Sequence, residues 1–163
     1  MTLEHFRIDD RLIHGQVVVG WGQPLGLRFL VLVDDEVAQS DWEQELYRMG
    51  VPPEMDLFFD SVENAARRIP QYRADRRSGM LLTGDIDTMA RLIAASPDIK
   101  AVTVGGIHHK PGRTARARYV FLTPDEERRL GDLEAQGVQV TAKDVPGAPP
   151  VPLQELLKGD GTA

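Results

Sequence analysis

The sequence predicts an α/β fold: one three-layer domain with a mostly parallel, twisted sheet of about seven strands and helices on both faces. Three observations carry this. Short apolar runs such as Phe29-Leu30-Val31-Leu32-Val33 suit strands buried on both faces. Stretches with helical spacing separate them, as at Ile86, Met89, Ala90 and Ile93. Capping and breaking residues then fall at the junctions, as at Thr123-Pro124-Asp125-Glu126.

Taken in order, residues 5–8 form a first strand that hands over to a helix beginning near Gly15. Residues 28–33 form a second strand ending at Asp34-Asp35, and residues 36–49 a helix stopped by Gly50 and Pro52-Pro53. Residues 55–59 are a third strand, and Asp60 or Ser61 caps the helix that follows through Ile69. Residues 80–83 make a fourth strand, with a helix over 86–93. Residues 99–104 make a fifth strand, which runs into Gly105-Gly106. A basic loop leads to a sixth strand at 119–122 and a helix from the Thr123 cap to Gln136, ended by Gly137. Residues 138–141 alternate as a last, more exposed strand, and a Pro-rich bend precedes a short helix over 153–157. The domain therefore spans residues 1–158, with 159–163 a frayed tail.

Composition narrows the function. The chain has 163 residues, enough for one domain with a real core, and no apolar run approaches the ~18 residues of a membrane helix. The N-terminus lacks the basic and apolar regions of a secretory signal, so a cytoplasmic location is expected. There is no cysteine, which excludes disulfides, thiolate metal sites and cysteine nucleophiles. A net charge of −6 argues against nucleic acid as a partner. Gly20-x-Gly22-x-x-x-Gly26 misses the dinucleotide fingerprint, and the segment from Gly106 to Gly112 is followed by Arg113-Thr114 with no helix pattern, unlike a P-loop. A generic nucleotide-binding domain is correspondingly the weaker reading.

In parallel sheets, ligands bind outside the carboxyl ends of the strands. His14, Asp34-Asp35, residues 83–87 and residues 105–111 all follow strands and share that edge. The densest chemistry is Arg7-Ile8-Asp9-Asp10-Arg11-Leu12-Ile13-His14-Gly15-Gln16-Val17, a histidine at a helix start among arginines and aspartates. Taken alone, His14 reads as a capping or core histidine held by Asp10. Gathering Asp9, Asp10 and Arg11 at a sheet edge is costly for packing alone, which favours a phosphoryl-carrying histidine. Arg11 can fork onto phosphate oxygens, backbone N–H groups from Gly15 to Val17 can add donors, and Asp9 or Asp10 can orient Arg11 or the ring. A salt-bridged arrangement of both aspartates with Arg7 and Arg11 is expected, since bare carboxylates would repel a phosphate. His108-His109 with Asp34-Asp35 could make a metal site, but solvent-facing histidines are the plainer reading. Lys110, Arg113, Arg116 and Arg118 form a basic cluster, either a solvated loop or a docking and phosphate-gathering rim.

The motif from Arg7 to Val17, followed by Trp21, resembles the signature of enzyme IIB components of the bacterial sugar phosphotransferase system, mannose, fructose and sorbose group. Val33-Asp34-Asp35-Glu36-Val37-Ala38, Val51-Pro52-Pro53, Val102-Thr103-Val104-Gly105-Gly106-Ile107, Gly112-Arg113-Thr114 and residues 130–140 resemble further family segments in order, so the resemblance covers nearly the whole chain. It implies a phosphotransferase whose His14, on Nδ1, accepts a phosphoryl group from a IIA phosphohistidine. The group then passes to a sugar entering through membrane IIC and IID components. Arg11 aligns with the family's phosphate-stabilising arginine and Asp9 with its loop aspartate; Gly15 and Gln16 would bind phosphate, with Asp10 and Arg7 supporting. No metal or cofactor is implied. A location at the membrane transporter and a homodimer are expectations of the resemblance. The alternative is a regulatory phosphocarrier or binding module on the same fold, in a partial phosphotransferase system without sugar transport. The segment from Leu82 to Asp87 and the His108-His109 pair depart from the family pattern.

Overall fold

A computed structural model describes residues 3–14 and 16–161. Strand β1 (Leu3–Ile8) leads through the motif into a π-helical stretch, Gln16–Gly22, and one α-turn, α1 (Gln23–Leu25). Pro24 sits at the start of that turn and Gly26, left-handed at φ +62°, ends it. Strand β2 (Phe29–Val33) follows, then β3 (Asp56–Asp60), β4 (Gly79–Thr83) and β5 (Ala101–Val104). Helices α2 (Asp41–Met49), α3 (Val62–Ala74) and α4 (Ile86–Ala95) lie between them. Strands β6 (Thr114–Ala117) and β7 (Val120–Leu122), helix α5 (Pro124–Ala135), strands β8 (Gln139–Ala142) and β9 (Val151–Pro152) and helix α6 (Leu153–Leu156) complete the chain.

The main sheet has seven strands in the order β3-β2-β4-β1-β5-β8-β9, parallel except for β9. The chain moves outward from β1 to β2 and β3, then returns to β4 and crosses to β5 and β8. The order of travel thus reverses around β1, which places the crevice of a doubly wound sheet at its carboxyl end. Alternation along β2 makes two cores: Phe29, Val31 and Val33 pack with α3, α4 and α5, while Leu30 and Leu32 pack with Ile13, Val18 and Trp21. Gly79 lets the Phe29 ring cross the β4 backbone, since a Cβ there would lie inside that ring.

Sequence expectations and structure differ in a few places, each with a local cause. The helix expected over 36–49 is divided. Asp34 accepts hydrogen bonds from the N–H groups of Glu36 and Val37 at 2.9 Å each and starts a 3-10 turn, Val37–Gln39; extended Ser40 then separates it from α2. Ser61, not Asp60, caps α3, its hydroxyl accepting from Asn64 N. That helix runs past Pro70 to Ala74. The expected sixth strand is β7, which leaves the main sheet to pair antiparallel with β6, a strand hidden in the basic loop. The place it vacates in the count of seven is taken by β9. The Thr123 cap proves a full capping box with Glu126. Arg116 Nη1 donates to Gly159 O at 3.2 Å, so residues 159–161 run back beside β6; Thr162 and Ala163 lie outside the described residues. Among the described residues no helix is long and apolar enough to cross a membrane.

Candidate functional site

The site is built on the turn that leaves β1. Asp9 N donates to Thr83 O at 2.9 Å, Asp10 N to Gly106 O at 2.8 Å, and Gly105 N to Ile8 O at 2.6 Å. These bonds tie the turn to the ends of β4 and β5. Leu12 N closes the turn on Asp9 O at 3.0 Å, and Leu12 adopts φ +57°, a left-handed conformation that costs an L-residue about 1–2 kcal/mol. Its side chain occupies the space that a Cβ on Gly84 would need, at 2.8 Å. The chain then reverses through His14, whose carbonyl accepts from Val18 N at 3.0 Å, and enters the helix.

Asp9 is the hub, with its side chain wholly buried. Its Oδ1 accepts from Arg11 N at 3.1 Å and Arg11 Nε at 2.9 Å; its Oδ2 accepts from Arg11 Nη2 at 2.8 Å and Arg7 Nη2 at 3.3 Å. Burial alone would raise the Asp9 pKa, but the Arg11 hydrogen bonds and the charges of both arginines outweigh it and hold the carboxyl below its ordinary range. Arg11, bonded to Asp9, is raised, while burial lowers Arg7. His14 Nε2 lies 3.9 Å from Asp9 Oδ1, and the ring is about a quarter exposed. Burial, reinforced by Arg11, pushes the His14 pKa down, so the imidazole is neutral at neutral pH and available as a nucleophile.

A second layer immobilises Arg7. Its guanidinium stacks on the Trp21 indole at 4.3 Å, and Nη1 and Nη2 donate to Lys143 O at 2.8 Å and Asp144 O at 3.2 Å. Trp21 Nε1 donates to the same Asp144 carbonyl at 2.9 Å. The Gly105-Gly106 pair is explained by this packing. A Cβ on Gly105 would collide with the Arg7 guanidinium, and one on Gly106 would lie 2.8 Å from Arg11 Nε and 3.0 Å from Asp9 Oδ1.

Arg7, Asp9, Arg11 and His14 are therefore brought together, and the salt-bridged arrangement forms around Asp9 alone. Asp10 turns away from it: its carboxylate accepts from His108 N at 2.7 Å and meets His108 Nδ1 at 2.6 Å. Asp9, not Asp10, faces both Arg11 and His14. Gly15 lies outside the described residues, as does the side chain of Gln16. His108 and His109 do not meet Asp34 and Asp35. Asp34 caps the 3-10 turn, and Asp35 accepts from Val62 N at 2.9 Å and Arg91 Nη2 at 3.0 Å. Among the described residues no group of three or more potential ligands is placed to hold a metal ion. In the basic cluster, Arg113 pairs with Glu126 and Arg116 with Glu127, which leaves Lys110 and Arg118 exposed. Asp85 caps α4, accepting from Thr88 N, and Asp87 pairs with Arg129. What the residue pattern did not reveal is the Arg7–Trp21–Asp144 support and the His108–Asp10 pair. The Gly-Gly after β5 was the local signal for close packing there.

Comparison with known proteins places this geometry. The family described as the sorbose-subfamily IIB component of the phosphotransferase system matches residues 3–163. The N-acetylgalactosamine-specific phosphotransferase enzyme IIB component 1 of Escherichia coli K12 is 34% identical over 144 residues, 86% of this chain and 89% of that protein. The mannose-specific EIIAB component of the same organism is 29% identical over 96% of this chain and 49% of its own length. The crystal structure of the IIBSor domain of the sorbose permease from Klebsiella pneumoniae superposes with a TM-score of 0.84 at 26% identity, covering 97% of both chains. The chain belongs to the sorbose-subfamily IIB family of the sugar phosphotransferase system.

Proposed function

We propose that this IIB component accepts a phosphoryl group on His14 Nδ1 from a phosphohistidine of a IIA partner and passes it to a sugar entering through membrane IIC and IID components. The observation that carries the reading is the wholly buried Asp9 carboxylate, clasped by Arg11 with His14 Nε2 at 3.9 Å. Nε2 is thus the ring nitrogen turned to the carboxylate. Nδ1 is the nucleophile: its lone pair attacks phosphorus as the donor's P–N bond breaks, and that bond's electrons return to the donor imidazole. In the second transfer a sugar hydroxyl attacks, the P–Nδ1 electrons return to His14, and the hydroxyl proton is released.

Such transfers depend on in-line positioning and charge stabilisation. Arg11, held by Asp9, is the side chain placed to donate to the phosphoryl oxygens. Asp9 and the buried Arg7 act through Arg11 as positioning residues, and Asp10 through the β5 loop. A IIA partner accords with the mannose-specific EIIAB relative, whose name joins A and B components and of which this chain matches about half. The protein would work in the cytoplasm at the inner face of its transporter.

The test is intact mass after incubation with phosphoenolpyruvate, enzyme I, the phosphocarrier HPr and a cognate IIA. Wild type is expected to gain an acid-labile ~80 Da, one phosphoryl group, and His14→Ala to gain none. No gain in wild type, with the IIA phosphorylated, would overturn the assignment and leave a binding module on the same fold.

A further inference from the structure

The charges around His14 are negative on balance before any phosphate arrives. Arg7 and Arg11 are both bonded to Asp9, Asp10 adds a second carboxylate, and Asp144 lies close enough to act on both arginines. A phosphoryl dianion added to this set would raise an excess of negative charge, so a further donor is needed where the phosphate stands. His108 is built to be one. Its backbone N–H and ring Nδ1 are both held by the Asp10 carboxylate, at 2.7 and 2.6 Å, so the ring is fixed in orientation although its side chain is 65% exposed. An ionised carboxylate only accepts, so Nδ1 is the donor of that bond and Nε2 is directed away from Asp10. The loop that carries it is anchored beside the site through Asp10 N to Gly106 O, and Arg113 Nη1 donates to the His108 carbonyl at 2.7 Å. His108 is also near enough to His14 for its charge to bear on that ring.

We propose that His108 is a second phosphate-binding histidine of this IIB component. Held by Asp10 through Nδ1, its ring presents Nε2 to the migrating group and, when protonated there, donates Nε2–H to a phosphoryl oxygen during transfer to His14. The proposal rests on the phosphocarrier reading above. The bonds made and broken are those already described; His108 contributes one hydrogen bond and is not itself phosphorylated. Asp10 is then a positioning residue for His108, which accounts for its departure from the Asp9 cluster.

The experiment measures transfer from the phosphorylated IIA donor to wild type, His108→Asn and His108→Gln over a range of donor concentrations. Asn keeps a donor near the Nδ1 position but nothing near Nε2, whereas Gln reaches the Nε2 position and loses the link to Asp10. His108→Asn is expected to lower kcat about tenfold with KM within twofold, the effect of losing a contact made in the transition state. His108→Gln is expected to recover at least a third of the wild-type kcat. His109→Asn, altering the neighbouring ring that packs edge-on against Phe121, is the control and should transfer at the wild-type rate. Full-speed transfer by His108→Asn would overturn the proposal, as would a loss confined to KM or equal losses in the Asn and Gln variants, which would mark a loop-holding role. Absence of transfer in wild type would strike the phosphocarrier reading itself, and this one with it.

Discussion

Two buried aspartates stand at the carboxyl ends of parallel strands, and they do different things. Asp60 ends β3 at the edge of the sheet; Asp9 follows β1 at its centre. Asp60 accepts from Tyr72 Oη at 2.6 Å and Arg68 Nη1 at 2.7 Å, both supplied by α3, the helix that immediately follows. The Arg68 guanidinium lies over the Phe58 and Tyr72 rings, 5.8 and 5.2 Å from their centres. Its cation is absorbed by an aromatic cluster, and the network closes on itself. Asp9 instead has two arginines and a histidine at its rim, one arginine buried beneath Trp21 and the other, Arg11, a quarter exposed beside His14. The carboxylates are equally buried, and Arg68 is as open to solvent as Arg11; what differs is that Arg68 lies over aromatic rings, whereas Arg11 stands beside a histidine.

Substitution at the two aspartates draws that contrast most sharply. Removing one partner of a buried ion pair costs about 3–5 kcal/mol, so Asp9→Ala should lower the denaturation midpoint strongly, and Asp60→Ala by less, since the partly exposed Arg68 can turn to water. Phosphoryl transfer should fall by more than a hundredfold in Asp9→Ala alone. A similar loss per folded molecule in Asp60→Ala would erase the distinction.

The next effect belongs to Arg11. Arg11→Ala should remove roughly 2–4 kcal/mol of transition-state stabilisation, the range for one well-placed donor to developing charge. A single-turnover rate within twofold of wild type would remove Arg11 from the transfer step. Tyr72→Phe is the matching change at the other carboxylate. It should cost about 1.5–3 kcal/mol of stability, the range for a hydrogen bond to a charged group, with transfer unchanged.

The smallest effect is a pH dependence confined to the Asp9 side. Burial depresses the His14 pKa, so its ring should titrate by NMR below the ~6.5 of a free imidazole, and phosphoryl acceptance should persist at pH values where a free imidazole is protonated. The sign for stability follows. Below about pH 6.5 the unfolded chain takes the His14 proton before the folded one does, so stability falls as pH falls. His14→Gln should flatten that part of the stability curve, and Asp60→Ala should leave it in place. A His14 midpoint at or above 6.5 would contradict the burial argument.

Most of the architecture was legible because it rests on short-range signals. The apolar run of β2, the spacing in α4 and the capping box at Thr123 each need only neighbouring residues to specify them. The misread pieces were those decided by partners far away. Thr114–Ala117 contains two alanines and one arginine and reads as a basic loop, yet it becomes a strand because β7 folds back on it. Tyr119 to Leu122 reads as a sheet strand and is diverted into that hairpin.

The site divides in the same way. Residues within one turn of chain placed His14, Arg11 and the candidate carboxylates together, because the motif is a single β1-to-helix connection. The choice between Asp9 and Asp10 lay beyond it. Successive residues of a turn point in different directions, and which carboxylate meets Arg11 depends on the space left by Gly106 and on His108, almost a hundred residues later, claiming Asp10. The carbonyls of Lys143 and Asp144 that fix Arg7 carry no side-chain signature at all. The sequence by itself determined an α/β domain with a charged histidine loop at a strand end. Only the tertiary structure decided which charges neutralise one another, since pairing in a low-dielectric interior is set by distances that no local pattern encodes.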